Sequence, residues 1–141
     1  MKISDKGLDL IRSFEGCELS AYKCPAGVWT IGVGSTGPHV KPGMTITQEE
    51  ADELLRKDVE RFDRAVQKLA PTATQGQHDA MTSFAFNVGI TALEGSTLLK
   101  MHRAGNYEAA AGQFRRWNRG GGRVLAGLVK RRAAEAEMYR S

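Results

Sequence analysis

An α+β fold is predicted by three observations. The first residues carry helical apolar spacing, a short aromatic and β-branched stretch follows, and the chain after Thr47 reads almost wholly as helix. Ser4 or Asp5 caps the first helix, in which Leu8, Ile11 and Phe14 recur at spacing three until Gly16 ends it. In CELSAYKCPAGVWTIGVGSTG, strand-forming residues flank Pro25-Ala26-Gly27, a hairpin with its turn at those three residues. Gly32, Gly34 and Gly37 make its exit irregular. Thr47 and Glu50 form a capping box that opens a long helix to about Leu69, with Leu55, Val59, Phe62, Val66 and Leu69 on one face. Pro71 closes it. Further helices are expected from Thr74 to Asn87, from Ser96 to Arg103, from Asn106 through Trp117, and from Leu125 to Tyr139. The run Arg119-Gly120-Gly121-Gly122 reads as a loop. A long amphipathic helix after a small sheet suggests two lobes with a groove between them, where substrates usually bind.

Composition bounds the function. At 141 residues the chain has the length of one domain, and 41% hydrophobic against 26% charged residues gives it a core to bury. No apolar run approaches the roughly 18 residues that cross a bilayer. Asp5, Lys6, Asp9 and Arg12 interrupt anything resembling a signal-peptide core, so the chain is expected to be made soluble in the cytosol. Residues 1–100 carry a net charge of −2 and residues 101–141 a net of +6. That basic segment suits an anionic polymer, or else simply a solvated face. A nucleic acid is a poor candidate, because no reading motif is present and the aromatic residues do not alternate with the basic ones. Two cysteines, Cys17 and Cys24, and three scattered histidines cannot assemble a four-ligand zinc site; neither metal nor cofactor is expected.

Glu15 is the first candidate for chemistry. It falls in the last turn of its helix, where the macrodipole is negative and disfavours a carboxylate. Partial burial against Phe14 or Trp29 would act in the same direction, whereas Arg12, three residues back, would pair with it and oppose this. A carboxylic acid that keeps its proton is what a general acid needs; a surface glutamate at a frayed helix end is the plainer alternative. Cys24 and Thr30 follow in the hairpin, nine and fifteen residues on.

Glu, eight residues, Asp or Cys, five residues, Thr, then T-I-G-x-G: this pattern, standing here as FEGCELSAYKCPAGVWTIGVGST, resembles the catalytic signature of the bacteriophage-type lysozymes, glycoside hydrolase family 24. VKPGMTIT, the run Ala80 to Gly89, Ser96-Thr97-Leu98-Leu99, Arg116-Trp117 and Gly127 to Arg132 are similar to that family in the same order, across nearly the whole chain. The resemblance implies one lysozyme-like domain over 1–141, with a small lobe at about 14–60 and a helical lobe formed by 1–13 and 61–141. It implies an endolysin that hydrolyses the β-1,4 bond between N-acetylmuramic acid and N-acetylglucosamine in peptidoglycan. Glu15 would then be the general acid, Cys24 the second catalytic group and Thr30 the residue holding the attacking water. Gly32, Gly34, Thr36, Phe86, Asn87 and Thr97 would meet the substrate. A monomer is implied, resident in the host cytoplasm until a separate holin-type protein opens the way to the wall.

Two residues depart from the family pattern. The commoner residue at position 24 is Asp, fully ionised at neutral pH, whereas an ordinary thiol is only a few per cent thiolate. A cationic neighbour such as Lys23 would restore some of the lost basicity, and a catalytically weak, wall-binding relative is the competing reading. Glu18 is the substitute base to test. Ser35 stands where the family often has His, which removes a pairing with an acidic residue. Arg131 and Arg132 suggest either contact with wall carboxylates or a solvated basic face. A Cys17–Cys24 disulfide would cap the site.

Overall fold

The computed structural model describes residues 1–141. Its first helix, α1 (Asp5–Glu15), starts where Ser4 turns its extended backbone inward and its hydroxyl accepts the Gly7 N–H. Gly16, at φ +80°, ends it while donating its N–H to the Arg12 carbonyl. Leu8 and Ile11 are buried, but Phe14 is exposed. Steps of three residues drift by about 60° each on a 3.6-residue turn, so by Phe14 the stripe has left the core.

The hairpin forms around the expected turn, with β1 (Glu18–Lys23) antiparallel to β2 (Trp29–Gly32) and Lys23 opposite Trp29. The register shifts between Glu18 and Tyr22, an irregularity that bends β1. A third strand, β3 (Ser35–Thr36), extends the hairpin into a sheet of order β1-β2-β3. Two residues are too few to register as a strand from periodicity.

α2 (Gln48–Leu69) opens with both bonds of the capping box, Thr47 accepting from the Glu50 N–H and Glu50 from the Thr47 N–H, each at 3.1 Å. Leu55, Val59, Phe62 and Val66 are buried, while Leu69 is only partly so. α3 (Gln75–Val88) has a second capping box, Thr74 with Gln77, and is buried without interruption from Gln77 to Ala85. It is the central helix. Gly76 lies in its first turn, where a Cβ would come within 2.5 Å of the Met138 carbonyl oxygen.

Beyond Gly89 the chain does not simply stop but turns into the short α4 (Ile90–Glu94). Ser96 then caps α5 (Thr97–Arg103), its hydroxyl accepting the Leu99 N–H at 3.1 Å. The helix expected through Trp117 is divided into α6 (Tyr107–Gln113) and a 3₁₀ turn, Phe114–Arg116. The expected loop at 119–122 is a two-strand hairpin, β4 (Arg119–Gly120) and β5 (Arg123–Val124). Gly121 and Gly122 turn it, both at positive φ, the conformation a tight two-residue turn requires. α7 (Ala126–Arg140) closes the fold and packs on α3.

Three apolar clusters result. The largest surrounds Phe84, which meets Phe114 and Trp117 edge-on at 5.6 and 5.2 Å. A second joins α1 to α2 through Leu8, Ile11, Leu55 and Val59, and a third holds Ile31, Val40, Ile46 and Ala51 beneath the sheet. Phe86 touches the first two clusters, and Cys17 the second and third.

Candidate active site

Glu15 ends α1 with its side chain 31% exposed, and the group that holds it comes from the far end of the chain. The Arg131 guanidinium on α7, only 4% exposed, makes a short charge-assisted hydrogen bond to Glu15 Oε1. Arg12 plays no part in this. It pairs with Asp9 at 3.2 Å and Asp52 at 3.3 Å, tying α1 to α2. The Phe14 ring lies 5.9 Å below the Arg131 guanidinium.

Behind Glu15 the charges continue into the core. Arg131 Nε lies 3.3 Å from Glu135 Oε2, and Arg131 Nη2 donates to the Ser83 carbonyl at 3.1 Å. Ser83 in turn donates its hydroxyl to Glu135 at 2.6 Å. Arg132 Nε stands 3.1 Å from Glu135 Oε1, an ion pair without hydrogen-bond alignment, and Arg132 Nη2 donates to the Asn87 side-chain carbonyl. Arg132 and Glu135 have no exposed side-chain surface. Burial pushes the Glu135 carboxyl above the usual carboxylate range and pulls Arg132 below its ordinary value, while each opposes the other's shift by its charge. The solvated basic face, one of the two readings of Arg131 and Arg132, is therefore wrong. Both residues are interior, held there by Glu135, Glu15 and Asn87.

The sheet supplies a second group of candidates. Cys24 closes the hairpin turn, its N–H donating to the Val28 carbonyl at 2.9 Å and its carbonyl accepting from Gly27. Backbone hydrogen bonds from Val28 and Ala26 draw its thiol below the ordinary 9.0, with the Thr30 hydroxyl adding to the effect against a small desolvation. Lys23, the expected source of positive charge, instead places its ammonium 5.6 Å from the Trp29 ring centroid. Thr30 is buried and its hydroxyl donates to the Val28 carbonyl at 3.0 Å. Thr36 lies opposite Thr30 in the β2–β3 ladder and is exposed.

The remaining candidates scatter. Gly34 is exposed at φ +73° with open space beside it, so backbone there is free to be approached. Gly32 is not: it is buried, and a Cβ there would lie 3.7–3.8 Å from Ile46 and Ala51. Phe86 is half-buried, 5.2 Å from Phe62, and Asn87 is exposed yet engaged by Arg132. Thr97 begins α5, exposed. Glu18 lies on β1 opposite Gly32. Cys17 and Cys24 are both free thiols. Ser35, where a pairing histidine was missed, has His39 Nε2 3.0 Å from its hydroxyl. A buried histidine–carboxylate pair does occur, but elsewhere, between His78 and Asp63 at 2.8 Å.

An initial helix, a three-stranded antiparallel sheet, a long helix and a helical cluster, with a glutamate where the first helix meets the sheet, form the lysozyme class of fold. The phage lysozyme family model matches residues 12–135, and the chain belongs to that family. It is 47% identical over 142 residues to the endolysin of Bacillus phage B103, covering 99% of this chain and 54% of that protein. The chain thus spans about half the length of that relative. Among solved structures, a P22 lysozyme mutant superposes with a TM-score of 0.93 at 39% identity, covering 100% of this chain and 99% of that one. The muramidase domain of SpmX from Asticaccaulis excentricus gives 0.89 at 40% identity, with coverage of 99% and 98%. No helix is long and apolar enough to cross a membrane.

Proposed function

We propose that the chain is an endolysin that hydrolyses the β-1,4 linkage between N-acetylmuramic acid and N-acetylglucosamine. The observation that carries this reading is a carboxyl group at the end of α1, part-exposed on one side and held by a buried guanidinium on the other. Glu15 gives its proton to the glycosidic oxygen as that bond breaks. Water attacks the anomeric carbon and surrenders its proton to the Cys24 thiolate, and exchange with solvent resets both groups. The backbone hydrogen bonds at Cys24 raise its thiolate fraction and offset part of what the absent aspartate would supply. Thr30 orients the water, which favours inversion and a separation of roughly 6.5–9.5 Å between the two catalytic groups. Thr36, Gly34, Phe86, Asn87 and Thr97 contact the glycan, with Gly32 shaping the strand beneath.

Two lobes, 14–60 against 1–13 plus 61–141, belong to the same reading: the first and third apolar clusters each lie within one lobe, while the second joins the two. So do a monomeric state, residence in the host cytoplasm before lysis, and dependence on a holin-type protein for reaching the periplasmic wall. Mass analysis of digested peptidoglycan tests the chemistry. Wild type should release fragments with reducing muramic acid ends, and Glu15→Gln should release none. Anhydro ends, lighter by one water, would make the enzyme a lytic transglycosylase. Cys in the common Asp position favours one alternative, a wall-binding relative of little activity, which would bind peptidoglycan and release nothing.

A further inference from the structure

The proposed acid shares its guanidinium with a carboxylate that never meets solvent. Glu135 stands four residues beyond Arg131 on α7, where a helix brings i and i+4 to one face. Its carboxyl faces Arg131 Nε at 3.3 Å, Arg132 Nε at 3.1 Å and the Ser83 hydroxyl at 2.6 Å. With Glu15 and Asn87 the charged groups make a row through the interior: carboxyl, guanidinium, carboxyl, guanidinium, ending at the exposed Asn87. Charges of this kind are expensive to bury, and a helix on α3 could be faced by leucines at far lower desolvation cost. The reaction as read so far gives Glu135 nothing to do.

We propose that Glu135 is a positioning residue for the general acid. Seated between two guanidinium groups, it takes up part of the charge that Arg131 would otherwise direct at Glu15. The acid is thereby oriented by a strong hydrogen bond without being fixed in its ionised form. An arginine given wholly to Glu15 would orient it equally well but would favour carboxylate over acid. The inference rests on Glu15 being the acid.

The charged and polar groups around the row are few. α7 contributes Arg131, Arg132 and Glu135, α3 contributes Ser83 and Asn87, and α1 contributes Glu15, with Arg12 committed to Asp9 and to Asp52 of α2. α6 and the 3₁₀ turn meet the same side of α7 through Ala110, Ala111 and Phe114, which carry no charge.

Glutamate side chains labelled with ¹³C at the carboxyl carbon give the test, with the Glu15 signal identified by its loss in Glu15→Gln. In Glu135→Gln, Arg131 faces Glu15 without a competing anion. The Glu15 titration midpoint should fall by about one pH unit or more. kcat/KM on purified peptidoglycan at neutral pH should fall by the corresponding factor, about tenfold per pH unit. Ser83→Ala, which keeps the charge but removes the hydroxyl donor, should move both in the same direction by less, and serves alone if Glu135→Gln does not fold. An unchanged Glu15 midpoint in a folded variant would overturn the proposal and leave Glu135 a structural residue. Activity persisting in Glu15→Gln would instead overturn the reading of the acid, whatever the titration gives.

Discussion

The two sides of the candidate site are built by opposite means. On the α7 side, Glu15 is gripped by Arg131, which is itself locked against Ser83 and Glu135 in the interior. On the sheet side, Cys24 sits at a hairpin turn and is tuned by backbone hydrogen bonds from Val28 and Ala26. In the interior a charge cannot be removed without stranding its partner, so function and stability are coupled there. At an exposed turn the backbone supplies the field and the side chain is nearly free to change. Chemistry can vary on the sheet side while the fold stays as it is, and this is the side on which the chain departs from the commoner aspartate.

Arg131→Leu should break this contrast most sharply. It leaves Glu135 buried with only Arg132 for charge, and urea denaturation should report a loss of about 3–5 kcal/mol. Hydrolysis should fall with it, because Glu15 loses its orientation. Cys24→Ala should do the reverse, with stability unchanged within about 0.5 kcal/mol. If the thiolate is the base, kcat should fall about 100-fold; an unchanged kcat would reduce Cys24 to scaffold. Cys24→Asp should keep or raise activity and change the pH dependence of kcat. The wild-type base is a thiol held below its ordinary 9.0, whereas the variant's is a carboxylate that ionises at about 4, so the dependence of kcat on thiol deprotonation should disappear. Thr30→Val is a smaller change, costing about 1 kcal/mol for the lost bond to the Val28 carbonyl and slowing turnover if that hydroxyl also orients water.

The smallest effect lies away from both sides. Burial pulls His102 below its ordinary 6.5, so the folded protein holds it neutral where the unfolded chain would protonate it. The unfolded state therefore binds more protons below about 6.5, and stability should decline as pH falls through that value. His102→Gln should flatten the decline in thermal melts recorded between pH 7 and 5.

What was legible in the sequence divides along the same line. Capping chemistry is local, so Ser4, Thr47 and Ser96 mark helix starts that the structure repeats. The Pro25-Ala26-Gly27 turn is local too, and brings Cys24 and Thr30 together as their spacing suggests. Arg131 is 116 residues from Glu15, and nothing in its surroundings signals burial. The inner face of α7 carries Arg131, Arg132 and Glu135 among alanines, so a hydropathy pattern reads that face as outside. Charged residues that neutralise one another in a core look from sequence like charged residues in water. The short α4, β3 and the β4–β5 hairpin were missed for another reason: each is shorter than the window that periodicity needs.

The absent side chain at Gly76 bears on the α7 side of the site. The last turn of α7 rests directly on that α-carbon, with the Met138 carbonyl and the Ser141 hydroxyl 2.5 and 2.7 Å from where a methyl would sit. Even alanine there would push the last turn of α7 outward. A position with no charge and no reactive atom thus becomes one that no side chain can enter without displacing the end of α7.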